Sequence, residues 1–257
     1  MKTVAVVGPK KSGKTQLVTA LVRSLGKHGR VGTIKHMPGH SADKGDTRRH
    51  FEAGAQVVLG VGESLFKVSR DNDLESALDE LCASGVDFAI VEGFKQSDLP
   101  KIVLGGIDVP NAIREIDIAD LNEETTEELT RLVISQRDRE NMRSLVYKAE
   151  NHPEYDKIGA IGTFTGIVRA RTKASTTKYL EIEAIHMDEQ VEEVESLLRE
   201  REGIVDVWIA HSAGKIPAGD VVMNVVVAAS HRQELFGALR DAVEMLKARF
   251  IEREKSD

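Results

Sequence analysis

The chain opens on an unbroken apolar run, Thr3-Val4-Ala5-Val6-Val7, and then changes period: Leu17, Leu21, Val22 and Leu25 recur at helical spacing up to Gly26. The first pattern predicts a strand buried on both faces, the second a helix with one apolar stripe. The alternation continues. Strands are expected at 30–36, 56–60, 65–68 and 87–93, and helices at about 47–55 and 74–83, the latter carrying Leu74, Ala77, Leu78 and Leu81 on one face. Strands alternating with helices predict an α/β fold with a doubly wound, mostly parallel sheet, to which Lys101-Ile102-Val103-Leu104-Gly105-Gly106 can add a strand. From Asn122 to about Glu150 the chain is highly charged, with Leu121, Leu129, Leu132 and Val133 as its main apolar positions. It then meets Asn151-His152-Pro153-Glu154. This reads as the closing helix of a first domain, ended by Pro and a polar cluster.

Beyond that point the texture changes. Strands are expected at 158–168, 179–185, 204–210 and 220–228, with helices over about 187–201 and 231–250. The last helix has Leu235, Leu239, Val243 and Leu246 on its inner stripe. Strands arranged around two helices predict an α+β sandwich. The expected domains are 1–145 and 146–257.

Composition narrows the classes. The 257 residues with 41% hydrophobic content can build two cores. A formal net charge of -7 excludes a general nucleic-acid binder, which needs a basic surface to displace counterions. One cysteine, Cys82, excludes internal disulfides and multi-cysteine metal sites. No apolar stretch approaches the roughly 20 residues that span a bilayer, and Met1 runs straight into a strand, so a cytoplasmic protein with no membrane partner is expected.

The candidate chemistry begins where the first strand ends, at Gly8-Pro9-Lys10-Lys11-Ser12-Gly13-Lys14-Thr15. A glycine-rich turn between a strand and a helix lets backbone N–H groups close around phosphates. The lysine then reaches the terminal oxygens and the threonine hydroxyl supplies a Mg²⁺ ligand. The candidate nucleotide-binding residues are Gly8, Lys11, Ser12, Gly13, Lys14, Thr15 and Gln16, with Lys35 and His36 at the end of the next strand. Candidate metal-proximal residues are Thr15, Asp46 and Glu92, the last closing an apolar strand as a Walker-B acid does. The alternative reading of Asp46 and Glu92 is a helix cap and a solvated strand end, and His36 reads equally as a structural histidine.

Four segments taken together resemble the MobB family of GTP-binding adaptors in molybdenum cofactor biosynthesis. They are Gly8 to Thr15, Ile34-Lys35-His36, Asp43-Lys44-Gly45-Asp46-Thr47 with Ala53-Gly54-Ala55, and Val91-Glu92-Gly93-Phe94-Lys95. The resemblance covers residues 1 to about 140. It implies GTP with Mg²⁺, a guanylyltransferase partner and an accessory role in attaching a nucleotide to molybdopterin. The residues themselves do not select guanine, because no Asn-Lys-x-Asp element is present.

The second half resembles the MoaE family, the large subunit of molybdopterin synthase, over roughly residues 155–250. The matching segments are Phe164-Thr165-Gly166-Ile167-Val168-Arg169, Leu180-Glu181-Ile182-Glu183-Ala184, His211 with Gly214 and Gly219, His231-Arg232-Gln233-Glu234, and Leu246-Lys247. The resemblance implies a sulfurtransferase that takes sulfur from a thiocarboxylated ubiquitin-like small subunit and acts on cyclic pyranopterin monophosphate. Arg169, His231, Arg232 and Lys247 fall on its active-site positions. Arginines and a histidine suit an anionic phosphate, and a lysine suits acid/base work or a transient adduct. At the tail the chain departs from the family: Glu254 stands where a second lysine is expected, with Lys255 one place late, and His211 is followed by Ser212 where an arginine is common. The expectation is a homodimeric fusion serving two steps of one pathway. Its rival is a noncatalytic nucleotide-binding scaffold with a degenerate synthase domain.

Overall fold

The computed structural model describes residues 1–39, 45–171, 177–183 and 186–250, and the backbone of 252–255. Asp43, Lys44 and Ala184 lie outside the described residues, as do the side chains of Glu254 and Lys255. Two compact units result, Met1–Arg139 and Glu140–Asp257.

In the first unit, β1 (Lys2–Val7), α1 (Lys14–Leu25), β2 (Val31–Lys35), α2 (Asp46–Glu52), β3 (Val57–Val61), β4 (Leu65–Ser69), α3 (Leu74–Ala83), β5 (Phe88–Glu92), β6 (Lys101–Leu104), β7 (Ala112–Ile116) and α4 (Glu123–Ile134) follow in order. Five strands form one parallel sheet in the order β2-β5-β1-β6-β7, while β3 and β4 pair separately as an antiparallel hairpin. Alternation along β1 decides the layers. Val4 and Val6 face the side packed by Leu17, Leu21 and Leu25 of α1 and Leu129 and Val133 of α4. Ala5 and Val7 face Leu78 and Cys82 of α3. Each fully buried leucine contributes about 2 kcal/mol through area removed from water. The doubly wound reading therefore holds, with Cys82 a buried free thiol.

The single closing helix expected over 122–150 is two helices. Asn122 caps α4 by accepting from the Thr125 N–H, and Ser135 follows its end. The chain then extends, Asp138 bridging to Lys2 and the Arg139 N–H donating to the Met1 carbonyl at 2.8 Å. A second cap restarts the helix as α5 (Met142–Glu150), through a reciprocal pair between Asn141 and Ser144. Two N-caps nineteen residues apart outweigh the continuous charge pattern, and α5 falls in the second unit.

The Met1 ammonium and Lys2 both bind Asp138, at 3.0 and 3.1 Å. Burial pulls the Asp138 pKa up, but these two cations outweigh it and hold the carboxyl below its ordinary value. A lowered carboxyl pKa stabilises above the unfolded value and loses that contribution as pH falls through the folded one. Asp138→Asn should therefore cost up to about 1 kcal/mol at pH 7, and the deficit should shrink as the pH falls below the ordinary carboxylate range. Urea melts of both proteins at pH 7 and pH 3 check this; an equal deficit at both would exclude the charge as its source.

The second unit continues with β8 (Ala160–Ile167), β9 (Tyr179–Ile182), α6 (Met187–Arg199), β10 (Ile204–His211), β11 (Gly214–Pro217), β12 (Val221–Ala229), α7 (Arg232–Arg249) and β13 (Glu252–Lys255). One antiparallel sheet has the order β10-β12-β8, another β11-β9-β13. Val207, Val225 and Val227 on one face of the first sheet pack with Val194, Leu198, Ala242 and Leu246 of α6 and α7. The α+β reading holds. The strands β7, β11 and β13 were not anticipated: each is short, and only β6 and β9 as neighbours make them strands. Among the described residues no helix is long and apolar enough to cross a membrane.

Candidate functional site

The glycine loop spans the gap between β1 and α1 as its spacing predicts. Gly13 sits at φ 85, and a Cβ there would meet Ile118 at 2.3 Å, so both backbone freedom and space require glycine. A Cβ on Gly8 would meet the Leu104 carbonyl at 2.8 Å. Helix α1 has no side-chain cap and no acid in its first turn, which leaves its leading N–H groups and positive dipole end to whatever anion enters the loop. The Ser12 hydroxyl is buried without a hydrogen-bond partner among the described residues. Lys14 donates to the carbonyls of Gly8, at 3.2 Å, and Pro9, a position from which its ammonium can turn toward a phosphate. These residues fit a polyphosphate.

The parallel register of β1, β2 and β5 places Val6, Lys35 and Glu92 side by side. The Thr15 hydroxyl donates to the Glu92 carboxylate at 3.2 Å, and Lys35 pairs with the same carboxylate at 3.4 Å. Three residues separated by up to 77 positions thus meet beside the loop. Asp46 is exposed and pairs with Arg49 at 3.0 Å, one turn along its own short helix. Among the described residues no three His, Cys, Asp or Glu side chains gather as a metal cage. A Mg²⁺ bound through phosphate oxygens needs only one or two protein ligands, so Thr15 and Glu92 remain suited to it. Gln16 and Thr15 border a separate groove between α1 and α4, together with Arg23, Lys27, Asn122 and Glu127.

His36 follows Lys35, its N–H donating to the Glu92 carbonyl at 2.9 Å, and its ring stacks on Phe94 at 4.3 Å. Sequence reasoning missed this stack, Ile118 beneath Gly13, and the buried Lys101. Register was the missing signal: pairing Lys35 with Glu92 makes His36 and Gly93 neighbours.

In the second unit Arg169 and Lys247 line one cavity of about 380 Å³, with Phe164, Thr177 and Met223. Lys247 is exposed in the last turn of α7, Arg169 just beyond β8. His231 and Arg232 do not line that cavity. They open α7, and the fifteen residues from Arg232 to Lys247 amount to roughly 22 Å of helix. His211 ends β10, its Nδ1 at 2.8 Å from the Ser212 carbonyl and its ring 4.3 Å from Phe250.

Fold and site define a two-unit protein, a parallel α/β unit with a glycine-lysine loop at the mouth of its sheet and an antiparallel α+β unit with a lysine–arginine cavity. Residues 3–114 match the family of molybdopterin guanine dinucleotide synthesis protein B, and residues 135–249 match the MoaE protein family. A probable molybdopterin synthase of Haloferax volcanii is 29% identical over 253 residues, 96% of this chain and 92% of that protein. A molybdopterin-guanine dinucleotide biosynthesis adapter protein of Haemophilus influenzae is 32% identical over 122 residues, 44% of this chain and 68% of its own length. A molybdopterin synthase catalytic subunit of Caulobacter vibrioides is 33% identical over 94 residues, 37% of this chain and 63% of its own length. The chain belongs to the MobB family through its first unit and matches the MoaE family model through its second, the pattern of a fusion of two proteins of molybdenum cofactor biosynthesis.

Proposed function

We propose that the first unit binds a nucleoside triphosphate, GTP by family, as an adapter for guanine dinucleotide formation. The second unit transfers sulfur from a thiocarboxylated ubiquitin-like small subunit to cyclic pyranopterin monophosphate. The observation that carries the first half is the convergence of an uncapped helix start, the orphaned Ser12 hydroxyl and the Thr15–Glu92 pair around one loop. Backbone N–H groups and Lys14 hold the phosphates, and Thr15 and Glu92 would hold Mg²⁺, which when bound neutralises terminal phosphate oxygens.

For the second half, support comes from the cavity that Arg169 and Lys247 share. Arg169 can orient an anionic phosphate there. Lys247, exposed at the cavity edge, can exchange a proton with the reacting carbonyl of the partner's C-terminus or form an adduct with it. His231 and Arg232 do not line this cavity, and a phosphate-binding role for them rests on the family resemblance alone. The full reading includes a guanylyltransferase partner and a homodimer.

The rival reading, a noncatalytic scaffold, draws on the altered tail, with Glu254 in place of the expected lysine. The deciding experiment measures molybdopterin formation from cyclic pyranopterin monophosphate and thiocarboxylated small subunit. Product should form with the native chain and fall at least about 100-fold with Lys247→Ala, the scale on which a general acid–base or covalent group acts. No product from either protein, with the small subunit bound, would favour the scaffold.

A further inference from the structure

A cavity of about 960 Å³ runs from Gly8 and Lys14 past Glu92 and along the segment after β5 to Pro100. A triphosphate held in the glycine loop accounts for only one end of it. The remainder has three features that the phosphate contacts of the glycine loop do not use.

The first is an aromatic shelf. Phe94 takes a left-handed backbone conformation, φ 54, costly for a non-glycine residue, and follows Gly93 at φ 108. A Cβ on Gly93 would come within 2.7 Å of the His36 Cβ. Glycine there, with the reversed backbone at Phe94, lets the two rings stack at 4.3 Å and 27° on the cavity wall. The second is charge. Lys10 and Lys95 are exposed at this cavity, and neither has an ion-pair partner among the described residues. Arg139, also at the cavity, is by contrast held by Glu75 and Asp79 at 2.8 and 3.0 Å.

The third is rigidity. Lys101 is fully buried, and its ammonium donates to the carbonyls of Ser97, of Leu99 at 3.0 Å and of Pro110 at 2.9 Å. Three charge-assisted bonds from one point hold the 97–99 part of the wall in a single shape. An aromatic face recognises a planar ring, unpaired ammonium groups recognise an anion, and a braced wall keeps both at fixed separation.

We propose that this cavity is a second ligand site, beside the nucleotide rather than part of it, which takes a planar ring compound carrying a phosphate or carboxylate. The ring lies on the Phe94–His36 shelf, and the anion meets Lys95 and Lys10. The first unit then holds two ligands side by side at the ends of β1, β2 and β5, the arrangement an adapter needs if it presents one to the other.

Flavin mononucleotide is a suitable probe, being a planar ring with a phosphate and a fluorescence that stacking quenches. Titrated into the full chain, it should quench saturably, and should still do so with a saturating non-hydrolysable GTP analogue and Mg²⁺ present. Riboflavin, the same ring without phosphate, should bind at least tenfold more weakly. Phe94→Ala should weaken flavin mononucleotide at least tenfold, Phe94→Tyr less than threefold, and Lys95→Ala several-fold. Absence of saturable quenching, affinity unchanged in Phe94→Ala, or competition with the GTP analogue would each overturn the second site. Binding of the GTP analogue, followed calorimetrically in the same samples, stands or falls separately.

Discussion

Replacing Lys14 with alanine should lower the affinity of the first unit for a GTP analogue with Mg²⁺ by roughly 30- to 150-fold, measured by isothermal titration calorimetry. Charge-assisted hydrogen bonds to a phosphate are worth about 2–3 kcal/mol, and each 1.4 kcal/mol is a factor of ten in the dissociation constant. The substitution should leave the fold intact. Lys14 is only half-buried, and its present acceptors, the carbonyls of Gly8 and Pro9, belong to a loop at the surface. An unchanged melting temperature together with the lost affinity assigns the effect to the phosphate contact. Unchanged affinity would remove the glycine loop from the functional argument.

Lys101→Met should instead act on stability, with a loss of about 3 kcal/mol and a fall of roughly 10 °C in the melting transition of the first unit. Methionine fills nearly the same volume, so the packing term is small. What disappears is the ammonium that three carbonyl oxygens share inside the protein. Burial pushes the Lys101 pKa down, with the charge of Asp98 pulling it back, which marks the expense of placing a cation there. Relief of that expense offsets part of the loss, but buried carbonyls without donors cost 1–3 kcal/mol each, so the balance remains unfavourable. Differential scanning calorimetry of the full chain should show the first unit's transition moving while the second stays in place. A transition unmoved within about 1 °C would mean that water reaches those carbonyls and that the wall is not braced.

Much of the first site is legible in the sequence, because most of its parts lie in one continuous stretch. Gly8 to Thr15 follow a strand and precede a helix, and both strand and helix are fixed by local periodicity. Glu92 was legible as the acid ending an apolar strand, with Thr15 as its companion beside a metal, although the direct hydrogen bond between them was not. The misreading of 122–150 has a comparable cause. Charge and scattered leucines fit one long helix, while the break at Asp138 and Arg139 is made by partners at residues 1 and 2. A contact over 137 positions leaves no mark on the local pattern. Lys101 illustrates the converse: a lysine opening a short apolar strand reads as a solvated end, and only the fold of the flanking loops turns three carbonyls onto it.

Sequence alone determined that this protein has two units of different texture, that the first places a glycine-lysine loop at a strand-to-helix junction, and that the chain carries residues of two families of one pathway. These are local properties, set by apolar spacing, by glycine's backbone freedom and by motifs of a few residues. Tertiary structure decided which candidates share a place. It set Thr15, Lys35 and Glu92 together and paired Asp46 with Arg49, and it put Arg169 with Lys247 on one cavity, with His231 and Arg232 opening the same helix at its other end. It also stacked His36 on Phe94. The reason is physical: strand order and register are chosen by burial summed over a whole sheet, and side chains many residues apart become neighbours only when that sum is made.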